Sequence, residues 1–135
     1  MDYNEIQLIL NKSYIIKDKI IELEPKTQAE IMLQLSRNIV VIDNMCVELN
    51  EHIQQLDKDI NAIRDVEYIN TLADKTLTNQ QKRDVALNIE LKNNEGYQSM
   101  FKDYQYANKL NYLLRNRKEY KQSILQTIRL VYKNM

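Results

Sequence analysis

The sequence predicts an all-α fold with two long and two shorter helices, arranged as an elongated antiparallel helical hairpin or coiled-coil bundle. The chain of 135 residues contains one Gly and one Pro, which is too few for the turns that a sheet protein of this size needs. Eight apolar side chains also follow one another at steps of three and four residues, which is the a/d pattern of a coiled coil. We call them the seam: Ile39, Ile42, Cys46, Leu49, Ile53, Leu56, Ile60 and Ile63.

The length corresponds to about one domain, so we expect a single helical domain over residues 1–135. The first helix is expected at about 2–24, because the residue before Pro25 is pushed out of helical geometry. A capping box of the Thr-x-x-Glu type opens at Thr27 and predicts the long helix with the seam, at about 27–66.

The second half of the chain is expected to hold the other two helices. Glu67 falls where the seam requires an apolar residue, so we expect the helix to end there and a connector to follow from Tyr68 to Thr76. A Thr-x-x-Gln capping box at Thr78 predicts a short helix at about 78–93. Its expected apolar contacts are Val85, Ile89 and Leu91. The segment Asn93 to Gly96, which contains the only glycine, is expected to separate it from a long basic helix at about 96–133.

The seam indicates that the long helix packs against another helix. A lone pair of helices would leave much of this apolar surface, with Val40, Val41 and Val47 beside it, in contact with water. An apolar patch of that extent is uncommon on a monomer. We therefore expect a homo-oligomer, with a dimer favoured, in which the seam is the oligomer contact.

The charge is zero in total but unevenly distributed. Residues 1–95 hold 11 basic and 17 acidic residues, and residues 96–135 hold 8 and 2, so the two parts carry −6 and +6. A basic end can bind nucleic acid. The alternative is that the acidic and basic helices lie against each other, within one chain or across a dimer.

The last helix combines cations with tyrosines. Cations contact phosphates and tyrosine rings stack on unpaired bases, so we expect single-stranded nucleic acid or a protein partner to bind here. The candidate contact residues are Tyr112, Arg115, Arg117, Lys118, Tyr120 and Lys121. The alternative is that the tyrosines belong to the core and the cations to an ordinary solvated face.

The sequence gives no indication of an enzyme. His52 is the only histidine, and Cys46 has no histidine nearby in sequence to form a nucleophile pair. A lone histidine is a poor metal ligand set, and a chain with one glycine cannot form a loop that cradles phosphate. We expect no catalytic residue, no metal, no cofactor and no small-molecule substrate.

Composition also bears on location. No apolar run approaches the roughly 18 residues of a membrane span, so we expect no membrane partner. The first five residues are acidic and polar, unlike a signal peptide, and the single cysteine cannot form an internal disulfide. We therefore expect a cytoplasmic protein, in the host cell if a phage encodes it.

The last 60 or so residues carry a recognisable pattern. Leu77 to Arg83 reads hydrophobe-Thr-Asn-x-x-x-Arg, and a short helix, an acidic junction at Asn94 to Tyr97 and a long charged helix follow. Over roughly residues 76–135 the chain resembles small helical phage and prophage proteins of unassigned chemistry, encoded near recombination and replication genes. It departs from them in its richness in Tyr, Asn and Ile. The resemblance implies a phage or prophage origin and transfers no catalytic residue.

Three functional hypotheses follow. The first is a non-enzymatic phage accessory protein that acts in DNA recombination or replication through the basic, tyrosine-rich helix. The second is a protein-binding inhibitor or adaptor that blocks a host defence complex or nuclease. It would use an acidic face of the long helix, formed by Asp57, Asp59, Asp65 and Glu67. The third is a component of a virion scaffold.

Overall fold

The computed structural model describes residues 1–12, 19 and 22–133, without the side chain of Tyr132. Within these residues it contains helices and no strand, so the all-α prediction with two long and two shorter helices is confirmed. The helices are α1 (Asn4–Leu10), α2 (Pro25–Ala73), α3 (Gln80–Asn93) and α4 (Glu95–Lys133).

Helix α1 is shorter than the sequence predicts. It ends at Leu10 and buries Ile6. The backbone N–H of Asn4 donates to the carboxylate of Asp2 over 2.9 Å, which satisfies one of the unpaired donors at the helix start. Most of the remaining predicted first helix, at residues 13–18, 20 and 21, lies outside the described residues.

Helix α2 begins two residues earlier than predicted. Pro25 is its first helical residue, a position where a missing N–H costs no helical hydrogen bond. The next turn is held by Gln28, which is buried. Its backbone N–H donates to the carbonyl of Glu24 and its side-chain amide to the carbonyl of Leu23, each over 3.0 Å.

Helix α2 also continues past Glu67 to Ala73, which leaves a connector of six residues, 74–79. The prediction of a connector that begins at Tyr68 is therefore wrong, and only its last three residues, 74–76, lie outside the helix. One polar side chain at a seam position does not interrupt the backbone hydrogen bonds that define a helix. The buried hydroxyl of Thr71 is satisfied within α2, because it donates to the carbonyl of Tyr68 over 2.7 Å.

A single residue, Asn94, separates α3 from α4. Its side-chain oxygen accepts the backbone N–H of Tyr97 over 2.9 Å and so caps the start of α4. Asn79 caps α3 in the same way, accepting the N–H of Lys82 over 2.8 Å. Asn94 therefore ends α3 within the expected break at Asn93 to Gly96, and Gly96 lies inside the first turn of α4 without a positive φ.

The chain forms two compact units. Unit 1 comprises Met1–Asn50 and Leu110–Met135, and unit 2 comprises Glu51–Lys109. In unit 1, α2 and α4 run antiparallel, since Leu35 packs near Ile124 while Asn50 bonds to Asn111. Its core cluster consists of Leu35, Ile124, Leu125 and Ile128, with Ile31, Met32, Ile39 and Tyr120 packed against it.

In unit 2, α2 and α4 are antiparallel as well, since His52 lies 3.3 Å from Asp103 while Ile60 packs with Tyr97. Helix α3 completes the interior through Leu91. Aromatic rings line this side of α4: the ring centroids of Tyr97 and Phe101 are 5.9 Å apart, and those of Phe101 and Tyr104 are 6.4 Å apart.

Candidate functional site

Arg117, one of the predicted contact residues, lies in the interior of unit 1 with only 6% of its surface exposed. Its Nη1 donates to the carbonyl of Lys12 over 3.0 Å, and its Nη2 donates to the carbonyl of Leu10. These carbonyls lie at the C-terminal end of α1, where a helix leaves acceptors unpaired and favours a positive charge. Arg117 therefore links α1 to α4, and its buried guanidinium is not available to bind a phosphate.

Lys121, one turn further along α4, is half-buried near Arg117 and Lys12. Burial lowers the pKa of its ammonium below the ordinary value, and the nearby charges of Arg117 and Lys12 lower it further. Three cations therefore lie close together at the end of α1, where the carbonyls that Arg117 binds offset part of their repulsion.

Two more of the predicted contact residues are engaged within unit 1. The ammonium of Lys118 forms an ion pair with the carboxylate of Asp43 on α2. Tyr120 packs against the core cluster around Leu35 and Ile124. Lys118 and Tyr120 therefore fit the alternatives to nucleic-acid binding that the sequence offers, in which acidic and basic helices pair and tyrosines belong to the core.

Tyr112 and Arg115 are the two predicted contact residues that remain open to solvent. Tyr112 is 65% exposed, and Arg115 is exposed three residues later on α4. Residues three apart on a helix lie on the same side of it, so Tyr112 and Arg115 share one part of the α4 surface. Of the six predicted contact residues, these two alone form a fully exposed pair.

The residues considered for chemistry have structural surroundings. Cys46 is half-buried, and burial raises the pKa of its thiol, which disfavours the reactive thiolate at neutral pH. His52 is half-buried against Asp103. Among the described residues, no group of three or more His, Cys, Asp or Glu side chains could hold a metal ion.

The seam is covered from within the chain in unit 1. Ile42 and Leu49 are completely buried, whereas Ile39 and Cys46 are half-buried at its edge. Ile42 and Leu49, the d positions of the pattern, thus lie deepest, and the a positions Ile39 and Cys46 lie at the side. Packing inside unit 1 already accounts for the burial of Ile42 and Leu49, without a second chain.

In unit 2 the seam is buried in a similar way. Leu56 and Ile60 are buried and Ile53 and Ile63 are half-buried, with Ile60 in a cluster with Leu91 and Tyr97. A contact with another molecule would therefore use other surfaces. An oligomer remains a prediction, but the buried seam residues are not exposed to form its contact.

An apolar row lies on the other side of α2 in unit 1. We call Leu33, Val40 and Val47 the outer row; they recur every seven residues and are 55%, 58% and 58% exposed. The seven-residue spacing of Leu33, Val40 and Val47 was available in the sequence. Val40 and Val47 are among the residues expected beside the seam, and they are exposed in the single chain as expected there.

Unit 2 has two further exposed apolar patches that sequence reasoning missed. The α2 patch consists of Val66, Ile69 and Leu72, and the α3 patch consists of Val85 and Ile89. Val85 and Ile89 were expected to be core contacts of α3, and this prediction is wrong. Leu91 is buried as expected, and Leu87 packs toward the interior with it, because a helix of 14 residues has only one narrow buried side.

The comparisons with known proteins add no relative. None of the helices in the described part of the chain is long and apolar enough to cross a membrane. No protein-family model matches the sequence, and no curated protein or solved structure is similar to it. The two helical units and their exposed apolar rows are therefore the features from which a function is inferred.

Proposed function

We propose that the protein is a non-enzymatic helical adaptor that binds another protein in the cytoplasm through the outer row of α2. The observation that supports this proposal is the exposure of Leu33, Val40 and Val47 at seven-residue intervals. Side chains at this spacing lie along one line of a helix and fit a partner helix with a matching apolar row.

The charge of α2 favours a basic partner. At the positions three and four residues from the outer row, α2 carries three acidic side chains, Glu30, Asp43 and Glu51, and one cation, Arg37. Two α2 helices laid against each other would repel, whereas a basic amphipathic helix would be attracted and steered toward the row. This is the adaptor or inhibitor hypothesis, with its apolar contact now at the outer row.

The first experiment uses a defined probe. Two amphipathic peptides with the same apolar positions, one with lysines and one with glutamates on the polar face, are titrated against the protein. We expect the lysine peptide to bind more tightly and the variant Val40→Glu with Val47→Glu to lose this binding. Equal binding of both peptides would contradict the charge argument.

The second experiment concerns the natural partner. Immobilised protein is exposed to a lysate of cells that naturally contain it, and the recovered proteins are compared between variants. The matched control places glutamates at exposed polar positions of the same helix that are not three or four residues from the outer row, as Gln34→Glu with Gln55→Glu. We expect a stoichiometric partner with the wild type and the control but not with the outer-row variant.

A second candidate function, nucleic-acid binding in phage recombination or replication, is favoured by the exposed pair Tyr112 and Arg115. An aromatic ring beside a guanidinium can stack on an unpaired base and hold its phosphate. The buried position of Arg117 means that this surface is smaller than the sequence predicts. The phage origin stays a prediction from the resemblance of residues 76–135.

Titration of labelled single-stranded DNA at two salt concentrations tests this candidate. Binding through phosphates weakens steeply as salt rises. We expect Tyr112→Ala with Arg115→Glu to lose binding, and Arg37→Glu, an equal charge change at an exposed site on α2, to retain it. If the two variants weaken binding equally, the pair has no specific role.

A further inference from the structure

The α2 patch of unit 2 combines exposed aliphatic side chains with a single acidic neighbour. Val66, Ile69 and Leu72 are between 48% and 62% exposed. On a helix, a residue touches those three and four positions away. Among these neighbours of the three residues within α2, Asp65 is the only charged one, and it is exposed.

The α3 patch has the opposite rim. Val85 and Ile89 lie one turn apart and are more than half exposed. Their neighbours at three and four positions include two charged residues, Lys82 and Lys92, and both are exposed cations. The patch also borders a groove of about 460 Å³ on α3, lined by Leu77, Gln81, Lys82, Val85, Ala86 and Ile89.

The two patches are therefore complementary to each other and not to themselves. Pairing the α2 patch with a second α2 patch would place Asp65 against Asp65, and pairing two α3 patches would bring lysines together. Pairing an α2 patch with an α3 patch matches apolar side chains and places Asp65 near Lys82 or Lys92. Opposite charges at the rim select this arrangement over the like-charged ones.

We propose that the protein self-associates head to tail, with the α2 patch of one copy seated on the α3 patch of a second copy. In a pair of copies, one retains an unused α3 patch and the other an unused α2 patch. The contact is therefore heterologous, and it repeats into a closed ring or an open filament. This inference does not depend on the proposed adaptor function, because the outer row lies in unit 1 and takes no part in the contact.

Sedimentation at increasing protein concentration tests the proposal. We expect Ile69→Lys and Val85→Glu each to raise the dissociation constant by about tenfold or more, because each places a charge in the apolar contact. Ile69→Lys also sets a lysine against the lysine rim of α3, and Val85→Glu sets a glutamate against Asp65. Both sites are exposed, so circular dichroism should show an unchanged helix content.

Mixing the two variants gives the sharpest result. The Ile69→Lys chain keeps its α3 patch and the Val85→Glu chain keeps its α2 patch, so an equimolar mixture should form a one-to-one dimer and nothing larger. The mixture of Asp65→Lys with Lys82→Asp/Lys92→Asp should likewise associate more tightly than either variant alone. These rescues cannot come from misfolded chains.

The outer row supplies the matched control. Val40→Glu introduces the same charge as Val85→Glu at an equally exposed valine of unit 1. We expect it to leave self-association unchanged while it impairs binding of the lysine peptide. A wild type that stays monomeric at all concentrations, a mixture of Ile69→Lys and Val85→Glu that stays monomeric, or loss of association in Val40→Glu would each overturn the proposal.

Discussion

Unit 1 and unit 2 are both built on antiparallel segments of α2 and α4, but their interiors differ in chemistry. Unit 1 buries Gln28, Asn111 and Arg117, while Thr71 is the buried polar residue among those described in unit 2. Unit 2 instead lines α4 with three aromatic rings. Buried polar groups need particular partners and so favour one helix register, whereas aromatic packing depends mainly on filled volume.

The largest expected effect concerns the aromatic interior of unit 2. Tyr97→Ala removes a buried ring and should lower the free energy of unfolding by about 3–5 kcal/mol. Tyr97→Phe keeps the ring and loses only the hydroxyl that accepts from Arg64 over 3.2 Å, so it should cost about 0.5–1 kcal/mol. Urea denaturation of both variants measures the difference. Similar losses in the two would show that the hydroxyl, and not the ring volume, holds unit 2 together.

The next effect concerns the buried cation of unit 1. Arg117→Met leaves the carbonyls of Leu10 and Lys12 without their donor and should lower the free energy of unfolding by about 2–4 kcal/mol. Hydrogen exchange should show that α1 loses protection first. Arg115→Met, the same change at an exposed site two residues away, should stay within about 0.5 kcal/mol of the wild type. Equal losses would mean that the contact with α1 contributes nothing.

A smaller effect is expected at the buried amide pair of unit 1. Asn111 donates to Asn50 over 3.0 Å, but among the described residues its own buried oxygen has no hydrogen-bond partner. Replacing both residues with leucine removes that unmet acceptor, so the free energy of unfolding should change by less than about 1 kcal/mol or rise. A larger loss in urea denaturation would show that the amide pair stabilises the unit and does more than set its register.

The smallest effect is a pH dependence in unit 1. The pKa of Lys121 is lowered in the folded chain by burial and by Arg117 and Lys12, so the charged form destabilises the fold below the folded pKa. This penalty is relieved as pH rises through the folded pKa toward the ordinary value of 10.5. Lys121→Met should therefore be more stable than the wild type at pH 7, with the difference shrinking toward pH 10.5. Urea denaturation across this range checks it, and a difference that stays constant with pH would count against it.

The sequence predicted the helices better than the sides on which they pack. The seam identified α2 because a 3.5-residue repeat persists over Ile39 to Ile63. The side chains of Asn79 and Asn94 cap α3 and α4 close to the predicted starts of these helices. The end of α2 was missed, because Glu67 interrupts an apolar pattern without interrupting a helix.

The candidate contact residues could be sorted only in part from the sequence. Arg117 continues the apolar spacing of α4 between Leu114 and Ile124 and Arg115 does not, but only the packing of α1 decides that Arg117 is buried. The sequence does not separate Leu91 from Ile89 on α3. A short helix with apolar residues on both sides does not reveal which side another element covers.

The order of the two units along the chain has a consequence for synthesis. Unit 2 is one continuous stretch, whereas unit 1 joins Met1–Asn50 to Leu110–Met135. At roughly 5–20 residues per second, several seconds pass on the ribosome between the two stretches of unit 1. During that time Leu35, Ile42 and Leu49 have no α4 to pack against, while unit 2 can already fold. Residues 110–135 thus complete the unit that residues 1–50 begin, and a ribosome that stops before residue 110 releases the earlier stretch without its partner helix.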